Sequence, residues 1–150
     1  MDNAIDVNNY AAYNNPALLA RAMAALDAHT PMAFRIGTFS CYRTNYAVVK
    51  PAGYVQLRLH GRKYYGHVVA CIFNAGRVPV EGEQASHRCH RGACVNPQHL
   101  VFETERVNKT RQYCDHFKDH PDHNCLHQPQ CIRVHGNIDT PLEGEPGYPQ

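Results

Sequence analysis

Between His87 and Cys131 the chain carries five of its seven cysteines, interleaved with most of its histidines. No other stretch limits the fold as much, because thiols and imidazoles at this density form disulfides or hold metal. An odd cysteine count with histidines set between the cysteines fits disulfides poorly. A structural zinc site needs four ligands in a tetrahedron, and the spacings can be counted against that demand. Cys89, Cys94 and His99 form C-x4-C-x4-H, which is one ligand short. Cys41, isolated in SCYRTN, is the natural fourth, with His90 as the alternative. Cys114, Cys125, His127 and Cys131 form C-x10-C-x-H-x3-C, a complete Cys3His set. Two such sites leave only Cys71, which falls in the apolar run GHVVACIF and reads as a buried structural thiol. His116, His120 and His123 read as solvated side chains of a long loop.

Composition favours metal over disulfides. A chain of 150 residues is expected to be one domain. With 10 Gly, 10 Pro and a mean hydropathy of −0.51, its core should be thin and in need of staples. No apolar run is of membrane-spanning length, and MDNAIDVNNYAAYNN lacks a basic-then-apolar leader pattern. These features predict an intracellular chain with reduced thiols. The net charge of +2 is too small to specify a nucleic-acid partner, so the placement of basic residues matters more.

Along the chain, residues 1–14 read as a loose arm. NPALLARAMAALDAH predicts a helix with Asn15 as N-cap, Pro16 in the first turn, and Leu19, Met23 and Leu26 on one face. Strand-forming residues and turn signals predict a three-stranded antiparallel meander over 46–50, 54–60 and 62–66. Its alternation leaves Gln56, Arg58, Arg62 and Lys63 on exposed or rim positions, with Arg43 and Lys50 nearby. A ribbon of this kind fits the major groove of B-DNA, where Arg and Gln read guanine and adenine edges; an ordinary solvated sheet face would have the same composition. GHVVACIFNAG predicts a short apolar helix closed by Gly76. HLVFETE predicts a strand, and RVNKTRQY a helix beginning near Thr104 or Glu105. Zinc would clamp strand to strand, and the helix would cross them as a ββα unit. Closed zinc sites leave no open position for chemistry, so His87 and Asn108, which zinc does not need, are the informative residues. His87 shares a strand face with Cys89, and the helix could set Asn108 opposite it.

SHRCHRGACVNPQHLVFETERVNKTRQYC, followed by C-x-H-x3-C, resembles the His-Cys box homing endonucleases, most closely the I-PpoI type, within the ββα-metal or HNH-like nuclease superfamily. The likeness covers about residues 85–131 plus the Cys41 element, with a weaker likeness in strand order over 46–76. It implies an α+β fold of mixed antiparallel sheets with a ββα-metal core stapled by two structural zinc sites. It also implies a Mg²⁺-dependent, site-specific double-strand DNA endonuclease of the intron-homing type. Position by position, His87 matches the general base and Asn108 the single protein ligand of one catalytic Mg²⁺. Cys41, Cys89, Cys94 and His99 match the first zinc site; Cys114, Cys125, His127 and Cys131 match the second. Arg58 matches the arginine near the scissile phosphate, with Arg62 as the other candidate. The implied layout is an arm and helix over 1–40, a DNA-binding meander and short helix over 41–80, the catalytic and zinc core over 81–131, and a tail over 132–150 that joins a homodimer. That tail is shorter and richer in Pro than the family's. Expected partners are double-stranded DNA and a second copy of the chain, with no membrane and no small-molecule cofactor; the expected location is intracellular, nuclear in a eukaryotic host. Two rival functions are a non-specific or nicking HNH-like nuclease and a silent zinc-stabilised DNA-binding protein.

Overall fold

The computed structural model describes residues 13–31, 40–49, 53–117 and 120–132. Most of the expected arm, Lys50 and the tail beyond Ile132 lie outside the described residues. The described end of the arm is anchored: Tyr13 is buried, meets the Tyr64 ring edge-on at 5.5 Å, and accepts a hydrogen bond from the Tyr65 amide at 3.1 Å.

The elements follow the local chemistry. Helix α1 (Pro16–Ala28) starts where Asn15 Oδ1 accepts the Leu18 amide at 3.1 Å and Pro16 presets the first turn. It buries Ala22 and Leu26, and Met23 and Leu19 pack at its margin. A three-stranded antiparallel sheet follows in the order β1 (Val48–Val49), β2 (Tyr54–Leu59), β3 (Arg62–Tyr65). β1 starts at Val48 rather than at the expected Tyr46, whose ring packs 4.2 Å from that of His29. The β2–β3 turn is His60-Gly61, with φ of 52° and 75°. Two positive φ angles suit the tight hairpin loop that pairs Leu59 with Arg62. Alternation turns Val55, Leu57 and Tyr64 inward.

Helix α2 (Gly66–Ala75) lies at the centre, with its first seven residues all buried. It packs on α1, the meander and the second sheet. Gly76, at φ 70°, closes it by returning its amide to Ile72 O at 2.8 Å. The second sheet is the hairpin β4 (Glu83–His87) and β5 (Leu100–Thr104), in register from Glu83↔Thr104 to His87↔Leu100. Helix α3 (Glu105–Phe117) leaves β5 directly and packs across both strands. The fold is α+β, and the hairpin with α3 forms the expected ββα unit between two helices.

Gly66 is where α2 and β2 come closest. A Cβ there would lie 2.9 Å from Val55 Cγ1 and 3.2 Å from Val95 Cγ1. Gly66→Ala should therefore destabilise by about 1–3 kcal/mol, although alanine is the better helix former. Combined with Val55→Ala, the total loss should be smaller than the sum of the single losses, because the second change opens the space the first needs. Urea melts of the zinc-loaded protein check this, and additive losses would show that the contact at Val55 is not the cause.

Candidate metal centres and catalytic cleft

The first Cys/His group assembles from two distant parts of the chain. The ligand atoms of Cys41, Cys89, Cys94 and His99 lie within 4.8 Å of one another. His99 Nδ1 is 3.9 Å from Cys41 Sγ and 3.6 Å from Cys94 Sγ. A tetrahedron with Zn–S of about 2.3 Å and Zn–N of about 2.0–2.1 Å has edges of roughly 3.4–3.8 Å. Local structure explains the convergence. Cys89 follows the end of β4, and His90 turns the chain at φ 62°. A short 3-10 helix (Pro97–His99), capped by the Asn96 side chain accepting the Gln98 amide at 3.0 Å, delivers His99. Asn96 Nδ2 also donates to Ser40 O at 2.8 Å, and the Val95 amide to Tyr42 O at 3.1 Å. Cys41 is thus held by its neighbours on both sides. Hydrogen bonds from Cys41 and Cys94 hold the Cys89 thiol well below its ordinary range, while burial pushes Cys94 up. A bound divalent cation resolves that conflict, since a coordinating thiol is deprotonated outright.

The second group takes Cys114 from α3, and Cys125, His127 and Cys131 from the loop that follows. Their sulfurs lie 3.2, 3.5 and 3.7 Å from His127 Nδ1. Thr110 Oγ1 donates to Val107 O at 2.6 Å and sits 2.8 Å from His127 Nε2. With its hydroxyl proton committed, Thr110 accepts from His127 Nε2–H, which leaves Nδ1 to bind metal. Burial opposes the Cys125 thiolate, but amide hydrogen bonds from Cys131 and His127 bring its pKa down to about 6. Both groups could hold zinc. His116 and His120 are exposed and His123 half-buried, and none joins a cluster. Cys71 is fully buried, and burial raises its thiol to about 12.

Apart from the clusters, His87, Asn108, Tyr54, His90, Gly92, Arg111, Gln112 and Asp115 line a cleft of about 220 Å³. His87 Nε2 is 3.1 Å from Cys94 O. A carbonyl only accepts, so the hydrogen sits on Nε2 and Nδ1 is the basic atom. Burial lowers the pKa of His87, favouring the neutral ring. That ring lies 5.0 Å from the His67 ring and 6.1 Å from Tyr54, nearly parallel to the latter at 12°. Asn108 Nδ2 donates to Gln84 Oε1 on β4 at 2.7 Å, which fixes its amide plane. The amide oxygen is the atom suited to a hard cation.

His87 and Asn108, expected from the sequence, are thus brought to one cleft. Arg58 is not: it is exposed on β2, about 13 Å along the strand from Tyr54, and among the described residues Tyr54 is the only one of the meander lining the cleft. Gln56, Arg58 and Lys63 share the outer face of the ribbon, where Arg58 pairs with Lys63. Arg62 pairs with Leu59 and projects to the other face, and Arg43 is half-buried in the segment before β1. The sequence reading missed His67, a lone histidine in an apolar helix. It is fully buried, neither ring nitrogen has a hydrogen-bond partner among the described residues, and burial keeps the ring neutral. Its ring stacks on that of His87 at the wall of the cleft. Gln84, Thr110 and Arg111 were also missed; each acts through a ligand or cleft residue, which leaves no mark in ligand spacing.

Fold and site together define an α+β protein with a ββα unit and two Cys/His clusters that could hold zinc. A family model described as the zinc-binding loop region of homing endonuclease matches residues 40–143, and the chain belongs to that homing-endonuclease family.

With two separate clusters, purified protein should retain two zinc ions per chain through dialysis. Cys41→Ser should lower this toward one ion, and Cys71→Ser should leave it unchanged. Plasma mass spectrometry on the purified proteins checks this; equal zinc in wild type and Cys41→Ser would force another ligand, such as His90, into the first site.

Proposed function

We propose that this protein is a Mg²⁺-dependent, site-specific double-strand DNA endonuclease of the intron-homing type and of the His-Cys box class. The observation that carries this reading is the convergence of His87 from β4 and Asn108 from α3 on one cleft.

Phosphodiester hydrolysis needs a nucleophile in line with the leaving oxygen, charge neutralisation, and support for the departing 3′ oxygen. His87 Nδ1 takes a proton from water, and the new imidazolium stays hydrogen-bonded through Nε2 to Cys94 O. His67 and Tyr54 hold the ring and exclude water from its buried faces. Asn108, with Nδ2 on Gln84, presents its amide oxygen as the single protein ligand of the catalytic ion. When bound there, Mg²⁺ neutralises charge on the phosphate and on the leaving oxygen, and a neutral ligand leaves its charge largely undiminished. DNA lies along the outer face of β2 and β3. Gln56, Arg58 and Lys63 contact it from that face, Arg62 reaches it from the edge of the β2–β3 turn, Arg43 and Lys50 add to the contact, and Arg58 acts on the DNA backbone. One cleft cuts one strand, so cutting both strands takes two clefts; a homodimer joined in part through residues 132–150 provides them. The protein acts inside the cell, and in the nucleus of a eukaryotic host.

Digestion of a complex DNA with Mg²⁺ or with EDTA tests the reading. Discrete fragments that require Mg²⁺ are expected. A smear would identify a non-specific nuclease, single-strand nicks a nicking enzyme, and binding without cutting a silent DNA-binding protein.

His87→Ala should cut cleavage by about 10²–10⁴ while DNA binding persists. A near-wild-type rate at saturating DNA would remove His87 from the role of base.

Asn108→Ala should raise the Mg²⁺ requirement and lower turnover while zinc content stays at two. A melting-temperature loss as large as that of a zinc-ligand variant would make Asn108 structural instead.

A further inference from the structure

One buried guanidinium joins the second metal cluster to the cleft. Arg111 is 1% exposed, on the second turn of a helix whose other charged side chains face solvent or its margin. Its Nε donates to both carboxylate oxygens of Glu103 on β5, each at 2.9 Å. Nη2 lies 2.9 Å from Glu103 Oε1 and donates to Pro129 O at 2.9 Å. Nη1 donates to Cys131 Sγ at 3.2 Å. Arg111 also lines the cleft with His87 and Asn108. Along α3, Asn108, Arg111 and Cys114 follow at intervals of three, so a cleft residue, the guanidinium and a cluster ligand share one stripe of the helix.

We propose that Arg111 is a positioning residue that couples the second metal cluster to the cation site at Asn108; this rests on the reading of Asn108 as the magnesium ligand. Three arguments support it. Three thiolates around a dication leave one net negative charge, and the Arg111 N–H on Cys131 Sγ stabilises it. The same side chain fixes the rotation of α3 against β5 through Glu103, and so sets where Asn108 stands relative to Gln84 and His87. Finally, Pro129 and Cys131 belong to the second loop, so ordering that loop around metal also orders the guanidinium. Without the cluster, the guanidinium loses Pro129 O and Cys131 Sγ, and Glu103 alone does not hold it in one orientation, so the placement of Asn108 loosens. Lysine keeps the charge but lacks the planar fork that spans a carboxylate, a carbonyl and a sulfur together.

Arg111→Lys in the full chain tests this, read in two ways. With Co²⁺ in the clusters, the thiolate-to-cobalt absorption should shift, reporting the lost hydrogen bond to Cys131. In DNA cleavage, the Mg²⁺ concentration for half-maximal rate should rise about 10–100-fold, and the rate at saturating Mg²⁺ should stay within about threefold of wild type. A Mg²⁺ dependence equal to wild type, in protein that retains two metal ions, overturns the coupling. If Arg111→Lys fails to hold two ions, Cys131→His takes its place: it keeps a fourth ligand and removes the sulfur that Arg111 holds. The same rise in Mg²⁺ requirement is expected, and its absence likewise overturns the proposal. Asn108→Ala separates the two readings. If it leaves the Mg²⁺ dependence unchanged, the magnesium assignment fails. If it changes that dependence and neither coupling variant does, the coupling alone fails.

Discussion

Everything about the site depends on the meeting of Cys41 with Cys89, Cys94 and His99. Cys41 enters from before the meander, and the other three come from the loop between β4 and β5. Closing a loop of that length costs conformational entropy that the small core around α2 is poorly placed to offset alone. Metal binding changes the balance, because binding energy at a site absent from the unfolded chain is folding energy. The surrounding hydrogen bonds share that load. Asn96 caps the 3-10 helix with its oxygen and holds Ser40 O with its nitrogen, so one amide serves both the ligand His99 and the approach of Cys41. The second cluster has the opposite logic. Its ligands are close in sequence, and its task is to fix a loop of little regular structure against the end of α3.

Between the clusters, buried polar side chains take the place of apolar packing. Arg111, Gln84, His67 and His87 are all buried, in a region where a larger domain would place leucine or valine. A buried charge is tolerable only when paired and hydrogen-bonded, and Arg111 meets that condition through Glu103, Pro129 O and Cys131 Sγ. Arg88 makes a milder version of the same link, with Nε on Gln130 O at 2.8 Å and Nη1 on Gln98 O at 2.8 Å, one carbonyl from each metal loop.

The sequence made some of this legible and hid the rest for identifiable reasons. Zinc ligands are countable because tetrahedral coordination demands a fixed number of a few residue types; Cys41 emerged from that count although nothing near it marks a ligand. Helix α1 was legible because Asn15-Pro16 is a local capping signal. The hairpin at His60-Gly61 was legible because its turn is local too. His67 was hidden because a histidine in GHVVACIF looks the same whether it is buried against a cleft residue such as His87 or merely tolerated in a core. Arg111 was hidden because a basic residue in RVNKTRQYC reads as a solvated helix position; only the arrival of Glu103 and Cys131 makes it interior. Arg58 is a candidate for the arginine near the scissile phosphate by family resemblance alone, and the distance along β2 leaves it on the ribbon. In each hidden case the deciding partner lies on another element, and spacing within one element carries no trace of it.

The link between metal and chemistry runs through a backbone carbonyl. Cys94 belongs to the first cluster through Sγ and holds His87 through its main-chain oxygen. The amide of Arg88, next to His87, donates to His99 O at 2.7 Å, so the strand end carrying His87 is tied to a second residue of the same cluster. A cation that draws Cys94 and His99 together therefore places the carbonyl that selects the His87 tautomer and anchors the strand from which the ring projects. His67 and Tyr54 then limit the ring's rotation from the other side. A four-ligand group that could hold zinc can in this way decide whether an imidazole two residues from its nearest member presents Nδ1 to the cleft.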